Sequence, residues 1–191
     1  TLTVGGVRAY NHTNLYSKKG AERFKVFIGF TCQVCTNLCV STDGYISCLE
    51  VTNTSELYRA VLEMFNKYDP AKHIHLMQTL GNTSMTEHQF CQLLGRMRLY
   101  PLLPQGYQKA IPRMLLTDTQ INSVAKAYIN DDNFGSLGSD LSMWKFYNLL
   151  TGSNKSRYID SFLDRAYNAT ELATGIASAL HGDERYSWFL S

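Results

Sequence analysis

The stretch CLEVTNTSELYRAVLEMFNKYDP, residues 48–70, contains the point at which the sequence changes from a strand pattern to a helix pattern. From about residue 54 the apolar residues recur with helical spacing. A helix over 55–67 would carry one apolar face, formed by Leu57, Val61, Leu62 and Phe65. Asp69-Pro70 should end this helix and begin another over 70–80, because proline disfavours helical backbone in the preceding residue and is favoured at the first helical position.

Before this stretch, the sequence is typical of strands. TLTVGGVRAY (1–10) and ERFKVFIGF (22–30) are rich in alternating or β-branched apolar residues. Asp43-Gly44 predicts a two-residue hairpin turn, since such turns need positive φ at both central positions. Residues 1–52 are therefore expected to be mainly strands.

After this stretch, the sequence is typical of helices. Capping-box patterns at 84–87 and 117–120 each precede a run with helical spacing. Ser139 is predicted to cap a helix over 141–150, Asn154 to open the next, and a separate last helix to cover about 169–181. We expect a single α+β domain over 1–191: an N-terminal antiparallel sheet of three to four strands, followed by a body of about six helices. Because the sequence begins without Met, we interpret it as the C-terminal part of a longer polypeptide.

The composition excludes several classes of protein. Of the 191 residues, 45% are hydrophobic and 18% charged, which is typical of a globular chain, and the formal charge of +2 lacks the basic excess of most nucleic-acid-binding domains. No run approaches about 18 apolar residues, so no membrane contact is predicted. The odd number of five cysteines favours a reducing compartment, and hence the cytoplasm.

Three of the cysteines lie close together, at Cys32, Cys35 and Cys39. The first two have the spacing of a zinc knuckle, but a second C-x2-C pair is absent. If Asp43-Gly44 is a hairpin turn, Cys39 faces Cys48 across the strands, with Cβ atoms about 4.5–5.5 Å apart. The pair would suit half a metal site, a disulfide or simple packing. We favour packing, and no cofactor is predicted.

Two sets of residues are candidates for binding. Cations near aromatic rings are how proteins hold single-stranded nucleic acid, and this pattern occurs at Lys18, Lys19, Arg23, Lys25, Arg96, Arg98 and Tyr100. A helix N-terminus with free N–H groups attracts anions, which makes candidates of Ser153, Asn154, Lys155, Ser156 and Arg157. Solvated charges and an ordinary capped loop are the plainer alternatives.

Several segments resemble a known but uncharacterised family. They are VGGVRAYNHTNLYSKKGAERFKVFIGF (4–30), VCTNLCVSTDG (34–44), MTEHQFCQLLGRMRLYPLLP (85–104) and LLTGSNKSRYIDSFLDR (149–165). They resemble a family carried on mobile elements of Bacteroidetes and, more distantly, a broad phage and plasmid-like family. The resemblance covers nearly the whole chain and implies an intracellular bacterial protein from mobile DNA. It implies no activity, cofactor or catalytic residue.

Two functions are therefore expected from different classes. The first is a nucleic-acid-binding accessory of a mobile element, which holds DNA or RNA as single strands or recombination intermediates. The second is a protein-interaction module or phage and plasmid effector without nucleic-acid contact, which the near-neutral charge favours. An enzyme that uses the cysteines is the least supported. Basic residues gathered on one face would favour the first function, and scattered ones the second.

Overall fold

The computed structural model describes residues 2–8, 22–31, 37–130, 138–153 and 159–191. Their fold is α+β, with an antiparallel sheet at the N-terminal end and a helical body after it, which confirms the predicted class. The sheet has the order β1-β2-β3, with bounds Leu2–Arg8, Glu22–Thr31 and Leu38–Val51. A second antiparallel pair within the helical body joins β4 (Ser84–Met85) to β5 (Leu141–Ser142).

Seven α-helices lie within the described residues. They are α1 (Thr54–Lys67), α2 (Pro70–Asn82), α3 (Glu87–Leu99), α4 (Gln105–Gln108), α5 (Asp118–Asn130), α6 (Met143–Ser153) and α7 (Ile159–Leu180). The predicted helices over 55–67 and 70–80 correspond to α1 and α2. Asn53 caps α1 by accepting a hydrogen bond from the N–H of Glu56 at 3.0 Å, and Asp69 caps α2 in the same way from Ala71 at 2.9 Å.

Helices cover both faces of the sheet. Val26 and Ile28 of β2 pack with Met64 of α1 on one face. Phe27, which points to the other face, packs with Leu163 of α7. Successive residues of a strand point to opposite faces, so a strand with helices on both sides becomes apolar throughout, as β2 is over residues 26–28.

Helix α7 connects the sheet to the helical body. It has 22 residues and is therefore about 33 Å long. Leu163 and Ala166, in its first half, pack under the sheet. Leu172 and Ile176, in its second half, belong to the main core, which is formed largely by α3, α5, α6 and the residues after α7.

The hairpin predicted at Asp43-Gly44 is wrong. Strand β3 runs through these residues and stays paired with β2, with Val40 opposite Gly29 and Tyr45 opposite Phe27. Residues 41–44 therefore lie opposite Ile28 alone, as an enlarged bulge. Cys39 pairs with Phe30 and lies on the same strand as Cys48, so the predicted Cys39–Cys48 pair across strands does not form.

Three predicted helix starts differ from the structure because tertiary contacts decide them. Thr86 caps α3 through a capping box with Gln89, two residues after the predicted start, because Ser84 and Met85 are used by β4. Ser142, rather than Ser139, accepts the N–H of Lys145 at 3.2 Å at the start of α6. The helix predicted over 169–181 is the second half of α7. By contrast, Thr117 and Gln120 form the predicted capping box of α5.

Candidate functional site

Helix α1 presents an apolar stripe to solvent. Leu57, Val61 and Met64 face the sheet. Tyr58, Leu62 and Phe65 lie at i, i+4 and i+7 on the neighbouring face, where they are 65%, 43% and 39% exposed. The sequence predicted one apolar face that included Leu62 and Phe65, but the sheet covers only half of that wide face.

The stripe is bordered by two opposite charges. Arg59 and Glu63 each follow a stripe residue in sequence, and both are exposed. Neither forms an ion pair within the described part of the chain. Their order along the helix, with the cation nearer the N-terminus, is the less favourable one for an ion pair at i, i+4 within one helix. The charges are therefore available to a partner that covers the stripe.

A cavity of about 320 Å³ opens between the bulge of β3, helix α2 and the second half of α7. The bulge packs tightly against β2 beneath it, since a Cβ on Gly44 would lie 2.7 Å from Cβ of Ile28. The other three residues of the bulge, Ser41, Thr42 and Asp43, line the cavity. Bulges occur often beside binding sites because they redirect side chains, and here the bulge turns three polar residues towards one space.

His73 of α2 contributes a buried imidazole to the wall of this cavity. Its side chain lies edge-on to Phe30 at 4.1 Å between ring centroids, and only 9% of the residue is exposed. Its Nε2 has no hydrogen-bond partner among the described residues. Burial lowers the pKa of His73, so the imidazole is neutral at physiological pH. No motif in the sequence marks His73.

Charged groups at the mouth of the same cavity compensate each other. Nζ of Lys72 lies 3.3 Å from a carboxylate oxygen of Asp43. The pair joins α2 to the bulge, and Lys72 is largely exposed. The cavity therefore combines a neutral imidazole with polar side chains and carries no net charge from these residues.

A second cleft, of about 430 Å³, lies on the α7 side of the sheet. Nζ of Lys25 lies 2.6 Å from Oδ2 of Asp164, and the hydroxyl of Tyr45 donates to the other carboxylate oxygen. The ring of Tyr45 also packs on that of Tyr167 at 5.1 Å. Asp164 thus satisfies two donors from the sheet and fastens α7 to it, which is a structural role.

The predicted nucleic-acid-binding residues are engaged in different contacts. Arg23 pairs with Glu50 at 2.7 Å, and Lys25 pairs with Asp164 as described above. Arg96 stacks on Trp188 at 5.1 Å, whereas Arg98 is exposed without a partner in the described ranges. Tyr100 is buried against Trp188 and Phe189, so its ring cannot stack on a base in this conformation. Lys18 and Lys19 lie outside the described residues.

The predicted anion site can be placed only at its first residue. Ser153 is the last residue of α6, and its hydroxyl donates to the carbonyl oxygen of Leu150 at 2.8 Å. Within the described residues, Ser153 therefore lies at a helix C-terminus, which repels anions. Asn154, Lys155, Ser156 and Arg157 lie outside the described residues.

The cysteines that can be placed do not converge. Cys39 is buried, whereas Cys48 and Cys91 are exposed, and all three are thiols. Over the described ranges, no three His, Cys, Asp or Glu side chains come close enough together to hold a metal ion. Cys32 and Cys35 lie outside those ranges. The placed cysteines thus give no metal ligand set.

The architecture defines a mixed α+β domain, with a small antiparallel sheet between α1 and α7 and a helical body beyond it. The chain belongs to the family described as "Domain of unknown function, B. Theta Gene description (DUF3871)", whose model matches residues 1–190. No curated protein and no solved structure matches the chain. Of the helices in the described ranges, none has the length and apolar character needed to span a membrane.

Proposed function

We propose that this chain is a protein-interaction module that binds through the apolar stripe of α1, and that its partner is a second copy of itself. The observation that carries the proposal is the exposure of Tyr58, Leu62 and Phe65 as one continuous helical stripe. Other exposed apolar side chains, such as Leu99 and Leu102, lie where α3 gives way to a turn and do not extend along one helix. An amphipathic helix recognises a partner helix through side chains at this spacing.

A second copy fits the stripe because the stripe is self-complementary in shape and charge. An antiparallel pairing that places Tyr58 opposite Phe65 of the second copy also places the two Leu62 side chains together at the centre. The same two-fold arrangement brings Arg59 of one copy beside Glu63 of the other, and this happens twice. The two-fold axis implied by the apolar contacts and that implied by the ion pairs cross α1 at the same point to within one residue, as a two-fold interface requires.

The size of the stripe limits the strength of this interaction. The exposed parts of two aromatic rings and one leucine provide roughly 300 Å² of apolar surface per copy. About 600 Å² in total is below the 1,200 Å² at which stable interfaces begin, so we expect a weak, reversible dimer in the micromolar range. Two exposed ion pairs of about 0.5 kcal/mol each add selectivity more than affinity.

Sedimentation equilibrium from about 5 to 500 µM protein tests the proposal. Leu62→Glu should abolish the dimer, whereas Lys126→Glu on the exposed face of α5 is the matched control and should leave it intact. Arg59→Glu and Glu63→Arg should each weaken it about fivefold or more, because like charges then face each other. The double variant, and an equimolar mixture of the two single variants, should recover it. A wild-type chain that stays monomeric, or a Leu62→Glu variant that dimerises like the control, would refute the proposal.

The second candidate is the nucleic-acid-binding accessory of a mobile element. It is supported by the family resemblance and by Arg98, which is exposed in the last turn of α3 without a partner in the described ranges. Fluorescence polarisation with labelled single- and double-stranded DNA tests it, since true phosphate contacts weaken steeply with salt. Binding that Arg98→Glu reduces and Lys126→Glu does not would support it, and no binding at low salt would refute it. Both candidates include the cytoplasmic location expected from the sequence, which the exposed thiols of Cys48 and Cys91 support.

A further inference from the structure

We propose that the cavity beneath the β3 bulge is a binding site for a neutral polyhydroxylated ligand of monosaccharide size. The cavity is distinct from the α1 stripe, so this inference does not depend on dimer formation. It lies between the bulge, α2 and α7, and its volume of about 320 Å³ is at the small end of the range for ligand sites.

The first argument is the buried imidazole of His73. A buried polar atom without a hydrogen bond is costly, and native structures contain few of them. Nε2 of His73 is such an atom within the described part of the chain, and His73 lines the cavity. Phe30 and Tyr68 contact the ring. Because Nε2 itself is almost closed off from solvent, a ligand hydroxyl would reach it after a turn of the ring towards the cavity and would give it the partner that the protein does not supply.

The second argument is the chemistry of the wall. Five hydroxyl side chains from three elements surround the same space: Ser41, Thr42, Thr79, Thr174 and Ser178. Hydroxyl groups both donate and accept hydrogen bonds, as do the hydroxyls of a sugar. Thr174 already donates to the carbonyl oxygen of Thr170 at 2.7 Å, so it can offer a lone pair to a ligand hydroxyl. Leu76 and Ala177 supply a small apolar surface for the C–H groups of a sugar ring.

The third argument is the absence of net charge in this wall. Lys72 and Asp43 compensate each other at the mouth, burial keeps His73 neutral, and the remaining ionisable residue of the lining, His75, is exposed. A charged ligand would therefore lose its hydration without gaining an uncompensated partner among these residues. These features select a neutral polyol.

The test is a titration of the full chain with neutral hexoses and pentoses, followed by ¹H–¹⁵N NMR. Glucuronate and glucose 6-phosphate serve as charged counterparts. We expect saturable shifts in the millimolar range, confined to residues 41–44, 72–79 and 174–178, for at least one neutral sugar and for neither charged one. Shifts that rise linearly without saturation, or that spread over the whole surface, would overturn the proposal, because they mean that water fills the cavity and sugars bind nowhere in particular.

Two variants locate the site, and one serves as a control. His73→Phe keeps the aromatic packing and removes Nε2, and should weaken binding by roughly tenfold. Thr174→Val, on the opposite wall, should weaken it severalfold with no effect on folding. Thr119→Val, on the exposed face of α5, should leave the affinity unchanged. If His73→Phe does not fold, Thr174→Val decides alone, and unchanged affinity in that variant would overturn the proposal.

Discussion

Replacement of Thr170 by valine tests the contact that joins the sheet to the helical body. Thr170 of α7 is 2% exposed, and its hydroxyl donates to the carbonyl oxygen of Val40 in β3 at 2.8 Å. It also lies 2.9 Å from the hydroxyl of Tyr147 in α6. A hydroxyl has a single hydrogen, so Thr170 accepts from Tyr147 while it donates to Val40. Valine has the same shape, so the substitution removes these hydrogen bonds without leaving a cavity.

The expected loss in the free energy of unfolding follows from the hydrogen-bonding groups that lose Thr170 as a partner. Tyr147 is 1% exposed, and an orphaned buried donor costs about 1–3 kcal/mol. The sulfur of Cys39 also lies within reach of the Tyr147 hydroxyl and would accept its hydrogen once Thr170 is replaced, which compensates in part because sulfur is a weak acceptor. We therefore expect Thr170→Val to lower the free energy of unfolding by about 2 kcal/mol. Tyr147→Phe should cost about 1 kcal/mol, because Thr170 still reaches Val40.

Urea unfolding followed by circular dichroism measures both values and their coupling. In the double variant the costs should fall short of additivity by about 1 kcal/mol, since the two hydroxyls share one hydrogen bond. Thr174→Val is the matched control in the same helix. Among the described residues its hydroxyl bonds only to the carbonyl oxygen of Thr170, so its loss should cost less than about 0.5 kcal/mol. Additive costs, or a loss in Thr170→Val no larger than in the control, would refute the reasoning.

Two further perturbations test the packing and the buried histidine. Gly175→Ala should destabilise the protein by about 1–3 kcal/mol, because the added Cβ would overlap the ring of Tyr186. Gly95→Ala, with open space around it, should instead stabilise α3 by up to about 1 kcal/mol. Thermal unfolding compares the two variants, and midpoints that shift in the same direction would contradict this reasoning. Burial lowers the pKa of His73 below its ordinary value of 6.5, so the unfolded chain binds the proton more readily. The contribution of His73 to stability should therefore be full above about pH 6.5, fall as the pH drops from there through the folded-state pKa, and be missing in His73→Phe. Urea unfolding midpoints from about pH 8 to pH 5 measure this, and an equal dependence of the midpoint on pH in the two proteins would contradict it.

The elements that could be predicted from the sequence are those decided by local interactions. Helix α1 begins after Asn53 and α5 after Thr117, and in each case a side chain caps the helix within a few residues. Asp69-Pro70 separates α1 from α2 for an equally local reason. Amphipathic spacing also indicated which residues of α3 and α5 are apolar on one side. The α+β order follows from the change in spacing near residue 54.

The elements that could not be predicted are those decided by distant partners. Asn168 resembles a helix cap, but its side chain accepts the N–H of Leu115 at 2.9 Å and donates to the carbonyl oxygen of Arg113 at 2.8 Å. The chain therefore has no reason to interrupt α7 there. Asp43-Gly44 favours a turn, but β2 offers pairing to β3 on both sides of it. Local preference is a weak predictor wherever such long-range bonds are available.

Most of the candidate sites also depended on tertiary structure. The stripe on α1 was visible in the sequence as apolar residues, but the sequence did not show which half of the apolar face the sheet would cover. The cavity near His73 is assembled from three elements that are far apart in sequence, and no motif marks it. Lys25 and Arg23 were recognised as cations, whereas their carboxylate partners, Asp164 and Glu50, could be found only in the folded chain.

The bulge in β3 sets a rule for insertions and deletions in this family. Residues 41–44 place three more residues in β3 than a regular ladder would need between its pairings with Gly29 and Phe27. Val40 and Tyr45 nevertheless share the α7 side of the sheet, while Ile46 lies on the α1 side, because each residue takes the side of the β2 residue with which it pairs. Loss of up to three residues here would shorten the bulge towards a regular ladder and keep both sides of 45–51 unchanged, whereas loss of a fourth would shift the register by one residue and invert them. Deletions of one to three residues in this segment should therefore be tolerated, and longer ones should not.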